Sequence, residues 1–291
     1  MHLARHAKQQ VLAIQYLPPL SATATRLLTL FSNEDLSLKD LAEAINQDPG
    51  LSAKVLGLAN SAYFGQSQPV LSVEDAIIRV LGLNMVKSLA FSIAVSGVFD
   101  ISRCPGFDLR AYWLDALSLA VLSRQVGMAI EIDQRPNLDA VYLAGLLSNI
   151  GVLVLVHSFP DAYAEVLAKF RGESQKSLEQ LQVECIGLDQ HAAGALLAER
   201  WHLPRIIIQV IEQTGKPLPE QDGELPMEIR VVDQVASWLR IGSGPSGDPQ
   251  AQLDSISDIT GVGVEILQGI KHRFLLKQEE IKGIAGLLAH A

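Results

Sequence analysis

The stretch Ala144-Gly145-Leu146-Leu147-Ser148-Asn149-Ile150-Gly151 belongs to an apolar tract, Leu143–Val156, whose polar residues are Ser148 and Asn149. The tract is shorter than the roughly 20 residues that a helix needs to cross a bilayer, so it predicts a buried core helix and no membrane association. A hydroxyl and a neutral amide are poor ligands for divalent cations. We therefore expect these two side chains to form hydrogen bonds between helices.

The composition indicates a globular protein with a large core. Of the 291 residues, 48% are hydrophobic and 19% are charged, which is enough apolar material to fold without metal or disulfide cross-links. The two cysteines, Cys104 and Cys185, match no metal-binding or redox spacing, which favours reduced thiols and a cytoplasmic location. The formal net charge of -9 argues against a nucleic-acid partner, because such partners attract Lys and Arg.

Helical spacing of apolar residues, preceded by capping residues, predicts an all-α fold. Ser37 precedes one such run and has an acid at the third position after it. Asp48-Pro49 is a favourable start for a second helix, through Asn60, and Ser72 begins a third. Alternating strand patterns, βαβ spacing and internal repeats are missing from the sequence.

A break at Cys104-Pro105-Gly106 divides the pattern into two packed helical subdomains. A nearly all-apolar helix, 85–99, precedes the break. Beyond it, glycine and proline stops predict helices at 109–127, 138–157, 160–169, 178–186, 189–201, 204–213 and 226–241. Two amphipathic segments follow within 262–290, so we predict a C-terminal helical extension over residues 250–291.

Two sets of short motifs occur along the chain. The first set comprises Leu17-Pro18-Pro19-Leu20, Asp48-Pro49-Gly50-Leu51, Leu58-Ala59-Asn60-Ser61-Ala62-Tyr63-Phe64-Gly65, Ala76-Ile77 and Leu81-Gly82. This set resembles the N-terminal half of an HDOD domain. The second set is similar to the HD-like half of the same family and comprises Trp113, Ala144–Gly151, Gly187, Asp189, His191, Gly194 and Trp201-His202-Leu203-Pro204. The resemblance covers residues 10–240. It implies an N-terminal helical subdomain at 10–103 and an HD-like helical bundle at 107–240.

HDOD domains are relatives of the HD superfamily that are generally regarded as noncatalytic bacterial signalling or regulatory modules. The resemblance therefore implies a role in signal transduction that is exerted through protein–protein interaction. It implies a signalling protein as the partner and no cofactor.

The metal-binding positions of the HD superfamily carry different residues in this chain. The position of the first His is Asp115, and the His-Asp doublet is replaced by Ser148 and Asn149. The last metal-binding Asp falls at Asp233 or the neighbouring Gln234. Since no imidazole remains among these residues, the resemblance implies a degenerate site that holds no metal and catalyses no reaction. We expect Asp115 and Asn149 to lie close together in one polar network instead.

Four other polar residues are candidates for contact with a ligand or partner. Asn60, Ser61 and Tyr63 follow an apolar helix, where such residues either satisfy loose carbonyl groups or contact a ligand at the subdomain junction. His191 has no companion histidine at helical spacing, so a hydrogen bond to a neighbouring backbone or acidic group competes with a ligand role.

Two other functions compete with the noncatalytic one. A residual metal-dependent phosphohydrolase would act on nucleotides or cyclic dinucleotides, and its activity would depend on Asp115. A small-molecule sensor would use the vacated metal cavity as its pocket, and its ligand would raise the melting temperature.

Overall fold

The computed structural model describes residues 17–31, 37–172, 176–214, 225–243 and 249–289. Within these ranges the secondary structure is helical and contains no strand, which confirms the all-α prediction. Residues 10–16 of the predicted first subdomain lie outside the described residues.

Five helices form the N-terminal part of the fold. They are α1 Ala22–Phe31, α2 Leu38–Asn46, α3 Pro49–Ala59, α4 Val73–Asp75 with its π-helical continuation Ala76–Leu81, and α5 Leu83–Ser96. A 3-10 turn, Ala62–Phe64, follows α3. The apolar helix α5 is the centre of this group because it packs against α1, α2, α3 and α4.

The capping residues start these helices as the sequence predicts. The Ser37 side chain accepts a hydrogen bond from the Asp40 N–H at 3.1 Å, and the Ser72 side chain accepts one from the Asp75 N–H at 3.0 Å. Asp48 accepts one from the Leu51 N–H at 3.0 Å, directly before a proline at the first helical position. Each bond satisfies a backbone N–H that has no partner within its own helix.

Eight helices form the second part of the fold. They are α6 Leu109–Ala129, α7 Leu138–Leu147, α8 Ile150–Ser158, α9 Pro160–Arg171, α10 Leu178–Cys185, α11 Gln190–Arg200, α12 Arg205–Gln213 and α13 Met227–Ser243. Helices α6 and α7 run antiparallel, because Gly127 lies beside Leu138 and Gly145 lies beside Ala120. Helix α13 packs against both of them, and α5 packs against α7 from the N-terminal part.

The helix predicted over 138–157 is not continuous, so that prediction is wrong in one detail. Helix α7 ends at Leu147 and α8 begins at Ile150. The Ser148 hydroxyl donates to the Gly145 carbonyl at 2.9 Å, and the Asn149 backbone leaves the helical region with φ -98° and ψ 13°. A side chain that bonds to the preceding turn competes with the helix's own hydrogen bonds, which favours the break.

Helices α7 and α8 together form an apolar stretch of 21 residues, Leu138–Ser158, whose most apolar 18-residue window has a mean hydropathy of 1.9. By length and composition alone this stretch could cross a membrane. However, 83% of its most apolar window is buried inside the fold. Its position is therefore that of a core helix pair, as its sequence predicts.

Three further helices complete the described chain: α14 Pro249–Thr260, α15 Val264–Leu276 and α16 Gln278–Ala289. Helix α14 packs on α13, and α15 packs on α6. Helix α16 lies on α6 and also reaches α3 and the 3-10 turn of the N-terminal part. The C-terminal helices therefore contact both of the other parts of the fold.

Aromatic residues also join the N-terminal part of the fold to the second part. The Trp201 indole N–H donates to the Pro18 carbonyl at 3.1 Å, and its ring lies 6.1 Å from that of Phe99. The His157 ring lies edge-on to Phe99, and its Nδ1 accepts from the Asp100 N–H at 2.9 Å. These contacts fix the first described residues and the end of the N-terminal part against the second part.

Candidate functional site

A close crossing of two helices positions the residues that replace the His-Asp doublet. A Cβ atom placed on Gly151 of α8 would lie 1.7 Å from the Gln190 carbonyl oxygen and 2.6 Å from the Gly194 nitrogen of α11. A Cβ atom on Gly194 would lie 3.1 Å from the Gly151 nitrogen. At position 151 only glycine permits this approach, and a side chain at position 194 would also crowd the crossing. The crossing brings the start of α11 next to Asn149.

Neutral amide side chains form a chain of hydrogen bonds at this crossing. The Gln190 Nε2 donates to the Asn149 Oδ1 at 3.4 Å. Gln182 of α10 and Gln190 bond twice, because the Gln182 Nε2 donates to the Gln190 Oε1 at 3.1 Å and the Gln182 Oε1 accepts from the Gln190 N–H at 2.9 Å. Since Gln182 and Gln190 are buried, these bonds satisfy groups that water cannot reach.

The structure gives Asn149 a different partner from the one that the sequence suggests. Helices α6 and α7 run antiparallel, so the C-terminal end of α7, which Asn149 follows, lies toward the N-terminal half of α6, which carries Asp115. The Asp115 side chain is exposed to solvent, however, and within the described residues it forms no hydrogen bond or ion pair. The expected network between Asp115 and Asn149 is therefore replaced by the network with Gln190.

Partial loss of solvent raises the pKa of Asp115 to about 6, although the carboxylate stays open to water. The ordinary pKa of an aspartate is 3.8. The neighbouring helices displace part of the water that would otherwise stabilise its charge. No positive group in the described residues compensates for that loss, because desolvation is the single cause of the shift.

Asp233 and Gln234 lie on α13, the helix that packs against both α6 and α7. Both side chains are buried, and the Gln234 Nε2 donates to the Asp233 Oδ2 at 3.5 Å. The Gln234 Oε1 also accepts from the Ser255 hydroxyl of α14 at 3.0 Å. Gln234 thus connects the second part of the fold to the C-terminal helices.

His191 is buried at the start of α11, and its exposed fraction is 3%. Its Nδ1 lies 3.1 Å from the Ile211 carbonyl oxygen, and its Nε2 lies 3.9 Å from the Glu179 carboxylate. The interaction with His191 is the main reason that the pKa of Glu179 falls to about 2. This geometry favours the packing interpretation of His191 over contact with a partner at the surface.

Asn60 fixes the loop that follows α3. Its Nδ2 donates to the carbonyls of Leu56 and Val70, both at 2.9 Å, and its Oδ1 accepts from the Val70 N–H at 2.7 Å. The hydroxyl of Ser61 is buried and has no hydrogen-bond partner among the described residues. The side chain of Tyr63 lies outside the described part of the chain. For Asn60, hydrogen bonding to backbone groups of the loop is therefore favoured over contact with a ligand or partner.

The donor set does not fit a metal ion. The described residues contain no group of three or more His, Cys, Asp or Glu side chains that could hold one. The Ser148 hydroxyl bonds within its own helix, and the Asn149 amide oxygen bonds to Gln190. Divalent transition metals need imidazole, thiolate or carboxylate ligands, and at these positions Asp115 and Asp233 are the carboxylates.

The sequence did not predict the role of Gln182 and Gln190, which bond to each other next to Asn149. Neither residue belongs to a motif that marks it. The one available signal is the pair of glycines, Gly151 and Gly194, which interrupt two apolar helices and so indicate a close backbone approach. Such a signal predicts a crossing but not which side chains line it.

A family model for the HDOD domain matches residues 17–217. The chain belongs to the HDOD family. The match covers both sets of HDOD motifs, and it ends before α13, which carries Asp233.

Several proteins are similar to this HDOD chain. An uncharacterized protein of Treponema pallidum (strain Nichols) is 29% identical over 240 residues, and the match covers 78% of this chain but 45% of the relative. The crystal structure of a candidate signal transduction protein from Marinobacter aquaeolei VT8 has a TM-score of 0.81 and 26% identity, and the match covers 99% of this chain and 66% of that one. The crystal structure of a candidate phosphohydrolase from Shewanella amazonensis SB2B has a TM-score of 0.73 and 25% identity, and the match covers 97% of this chain and 98% of that one. The chain spans less than half the length of the Treponema relative.

Replacing Asn149 with alanine should lower the free energy of unfolding by about 1 kcal/mol, because the buried Gln190 amide loses an acceptor. Chemical denaturation measures the change. The matched control is Asn46→Ala, at an exposed position where a loss within about 0.5 kcal/mol is expected. Gln190→Ala combined with Asn149→Ala should cost less than the sum of the single changes. Additive losses would contradict the network.

Asp115→Asn should stabilise the protein at neutral pH but not in acid. The folded-state pKa of about 6 lies above the ordinary value of 3.8, so the charged carboxylate opposes folding once it ionises. The advantage of the asparagine variant should therefore be absent below pH 3.8, grow as the pH rises to 6 and stay constant above that. Melting temperatures of both proteins across this range test the prediction. An advantage that does not depend on pH would contradict it.

Proposed function

We propose that this chain is a noncatalytic regulatory module of bacterial signal transduction that acts by binding a protein partner. Membership of the HDOD family and the similarity to the Marinobacter candidate signal transduction protein support a signalling role. The noncatalytic part of the proposal rests on one observation: the side chains of Ser148 and Asn149 form hydrogen bonds within the protein. Side chains used in this way leave no pair of ligands where the HD superfamily holds its metal.

The proposal includes the location and the composition of the module. We propose a cytoplasmic site of action, one domain over residues 10–240 with subdomains at 10–103 and 107–240, and a C-terminal helical extension at 250–291. The net charge of -9 supports a protein partner over a nucleic acid. We also propose that the degenerate positions are Asp115, Ser148, Asn149 and Asp233.

Phosphohydrolase activity is the second candidate, because the Shewanella structure with 25% identity carries that name. Such activity at neutral pH needs a group that activates water, and a metal does so by lowering the pKa of a bound water molecule. A third candidate, a sensor that uses the degenerate site as a pocket, has less support. A small apolar cavity lined by Leu58 and Leu117 lies at the junction of the subdomains, and neither Ser148 nor Asn149 lines it.

We expect the purified chain to hold less than one transition metal ion per molecule and to hydrolyse neither phosphomonoesters nor phosphodiesters with added Mn²⁺ or Mg²⁺. Elemental analysis and a chromogenic phosphoester assay measure these properties. The variant Ser148→His with Asn149→Asp should not gain activity, because Asp115 still occupies the position of an imidazole. Metal-dependent turnover by the parent that disappears in Asp115→Ala would overturn the noncatalytic assignment.

The partner is sought by affinity purification from the native bacterium with the tagged full chain. The protein that is recovered must then bind the purified chain directly, at a fixed stoichiometry, in isothermal titration calorimetry. Failure to find such a protein, together with saturable binding of a small molecule, would favour the sensor instead.

A further inference from the structure

Helix α16 covers the junction between the two larger parts of the fold with one apolar face. Its buried side chains are Ile281, Ile284, Ala285 and Leu288, which follow the spacing of a helical stripe. This face packs against α6 of the second part and against α3 and the 3-10 turn of the first part. The groove beneath α16 is therefore an apolar surface shaped for one amphipathic helix.

The fit between α16 and this groove is incomplete. A small apolar cavity of about 30 Å³ remains between them. Its walls come from both parts of the fold and from α16: Leu58, Phe64, Met85, Leu89, Leu117, Val121, Tyr142, Ile281 and Ile284. Side chains beside a void lose van der Waals contacts, so the cavity weakens the attachment of α16.

Two shielded polar atoms also oppose the attachment. The Oε2 atom of Glu280, in the first turn of α16, is shielded from water and has no hydrogen-bond partner among the described residues. The same is true of the Ser61 hydroxyl, which stands at the start of the 3-10 turn that α16 contacts. Burying polar atoms without partners costs free energy that is recovered when the helix leaves.

The connection to the rest of the chain allows α16 to move as a unit. A single residue, Lys277, separates it from α15. At this hinge Leu275 and Leu276 are 51% and 71% exposed, so few contacts hold the two helices together there. One contact with α6 holds α16 in place. The Arg110 side chain lies beside Gly286, and its Nη2 donates to the Lys282 carbonyl at 3.5 Å.

We propose that α16 is a displaceable clasp, and that the groove beneath it is the docking site for an amphipathic helix of the partner protein. This inference rests on the proposed function, since it names the surface through which the partner acts. The fitting helix carries aliphatic side chains at the spacing of Ile281, Ile284 and Leu288 and a small residue opposite Arg110. Two copies of a chain with a net charge of -9 repel each other, which favours a different protein over a second copy.

Hydrogen exchange of the full chain tests whether α16 opens. Its backbone amides should exchange faster than those of α6, because α16 opens locally while the core stays folded. Glu280→Gln replaces the carboxylate, whose Oε2 atom is shielded and without a partner among the described residues, by a neutral amide and should slow exchange across α16. Glu279→Gln is the matched control, because the Glu279 side chain is 84% exposed, and it should not slow exchange. Exchange of α16 as slow as that of α6, or no effect of Glu280→Gln, would overturn the clasp.

A fluorescent peptide with the sequence of residues 278–289 tests the groove by fluorescence anisotropy. Ile284→Asp in the full chain should undock α16, because a charge replaces a buried aliphatic side chain, and this variant should bind the peptide at least about tenfold more tightly than the parent. Leu287→Asp is the control on the same helix, because Leu287 is 47% exposed, and it should bind like the parent. A peptide that carries the same Ile284→Asp change should not bind.

Each outcome separates this inference from the function on which it rests. Absence of peptide binding to a folded Ile284→Asp variant would show that the groove is not a docking site. Direct binding of a partner at another surface would then leave the regulatory function standing. A parent that dimerises by exchanging α16 would assign the groove to a second copy and overturn the partner assignment. If Ile284→Asp fails to fold, the exchange rates of Glu280→Gln and Glu279→Gln decide whether α16 opens.

Discussion

Gly151→Ala should lower the free energy of unfolding by at least about 3 kcal/mol, because the new methyl group overlaps the backbone of α11. The added Cβ would lie 1.7 Å from the Gln190 carbonyl oxygen, a distance that no side-chain adjustment can relieve. Helices α8 and α11 must therefore separate, which also pulls Gln190 away from Asn149. Chemical denaturation followed by circular dichroism measures the loss.

The matched control is Gly57→Ala in α3. A Cβ atom there meets nothing within 4 Å, so alanine should leave stability unchanged or raise it by about 0.5–1 kcal/mol through its better helix propensity. If Gly151→Ala is as stable as Gly57→Ala, the close crossing of α8 and α11 is not present in the protein.

Trp201→Ala should lower the free energy of unfolding by about 3–5 kcal/mol, because a buried indole leaves a cavity and the Pro18 carbonyl loses its donor. The loss should be accompanied by faster hydrogen exchange around Leu17 and Phe99, since Trp201 contacts the chain at both places.

Trp201→Phe separates the two contributions. It keeps an aromatic ring against Phe99 but removes the indole N–H, so a loss of about 1 kcal/mol from the hydrogen bond, plus a smaller packing loss, is expected. A Trp201→Ala variant that melts within a degree of the parent would show that Trp201 does not join the two parts of the fold.

Local signals allowed much of this fold to be predicted. Ser37, Asp48 and Ser72 act within three residues of their own position, so their capping role depends on little besides the adjacent sequence. The apolar tract around Leu143 is buried for a similar reason, since its composition alone excludes exposure to water. Predicted helix boundaries differ from the observed ones by a few residues, as at Ala129 and Arg171.

The candidate site was less predictable because it depends on contacts between distant residues. The helix break at Ser148 follows from a bond to Gly145 that competes with the helix, and the partner of Asn149 follows from the glycine crossing with α11. Asp115 lies on an exposed face of α6, an orientation that sequence spacing does not specify. Tertiary packing, not local preference, settles each of these positions.

The contact between α3 and α16 also bears on how the chain folds during synthesis. Helix α3 leaves the ribosome well before α16, the helix that covers it. Until that helix emerges, the apolar groove between the two parts of the fold remains open to solvent and to other nascent chains. Contacts between such distant residues form slowly, so the docking of α16 should be a slow step in folding.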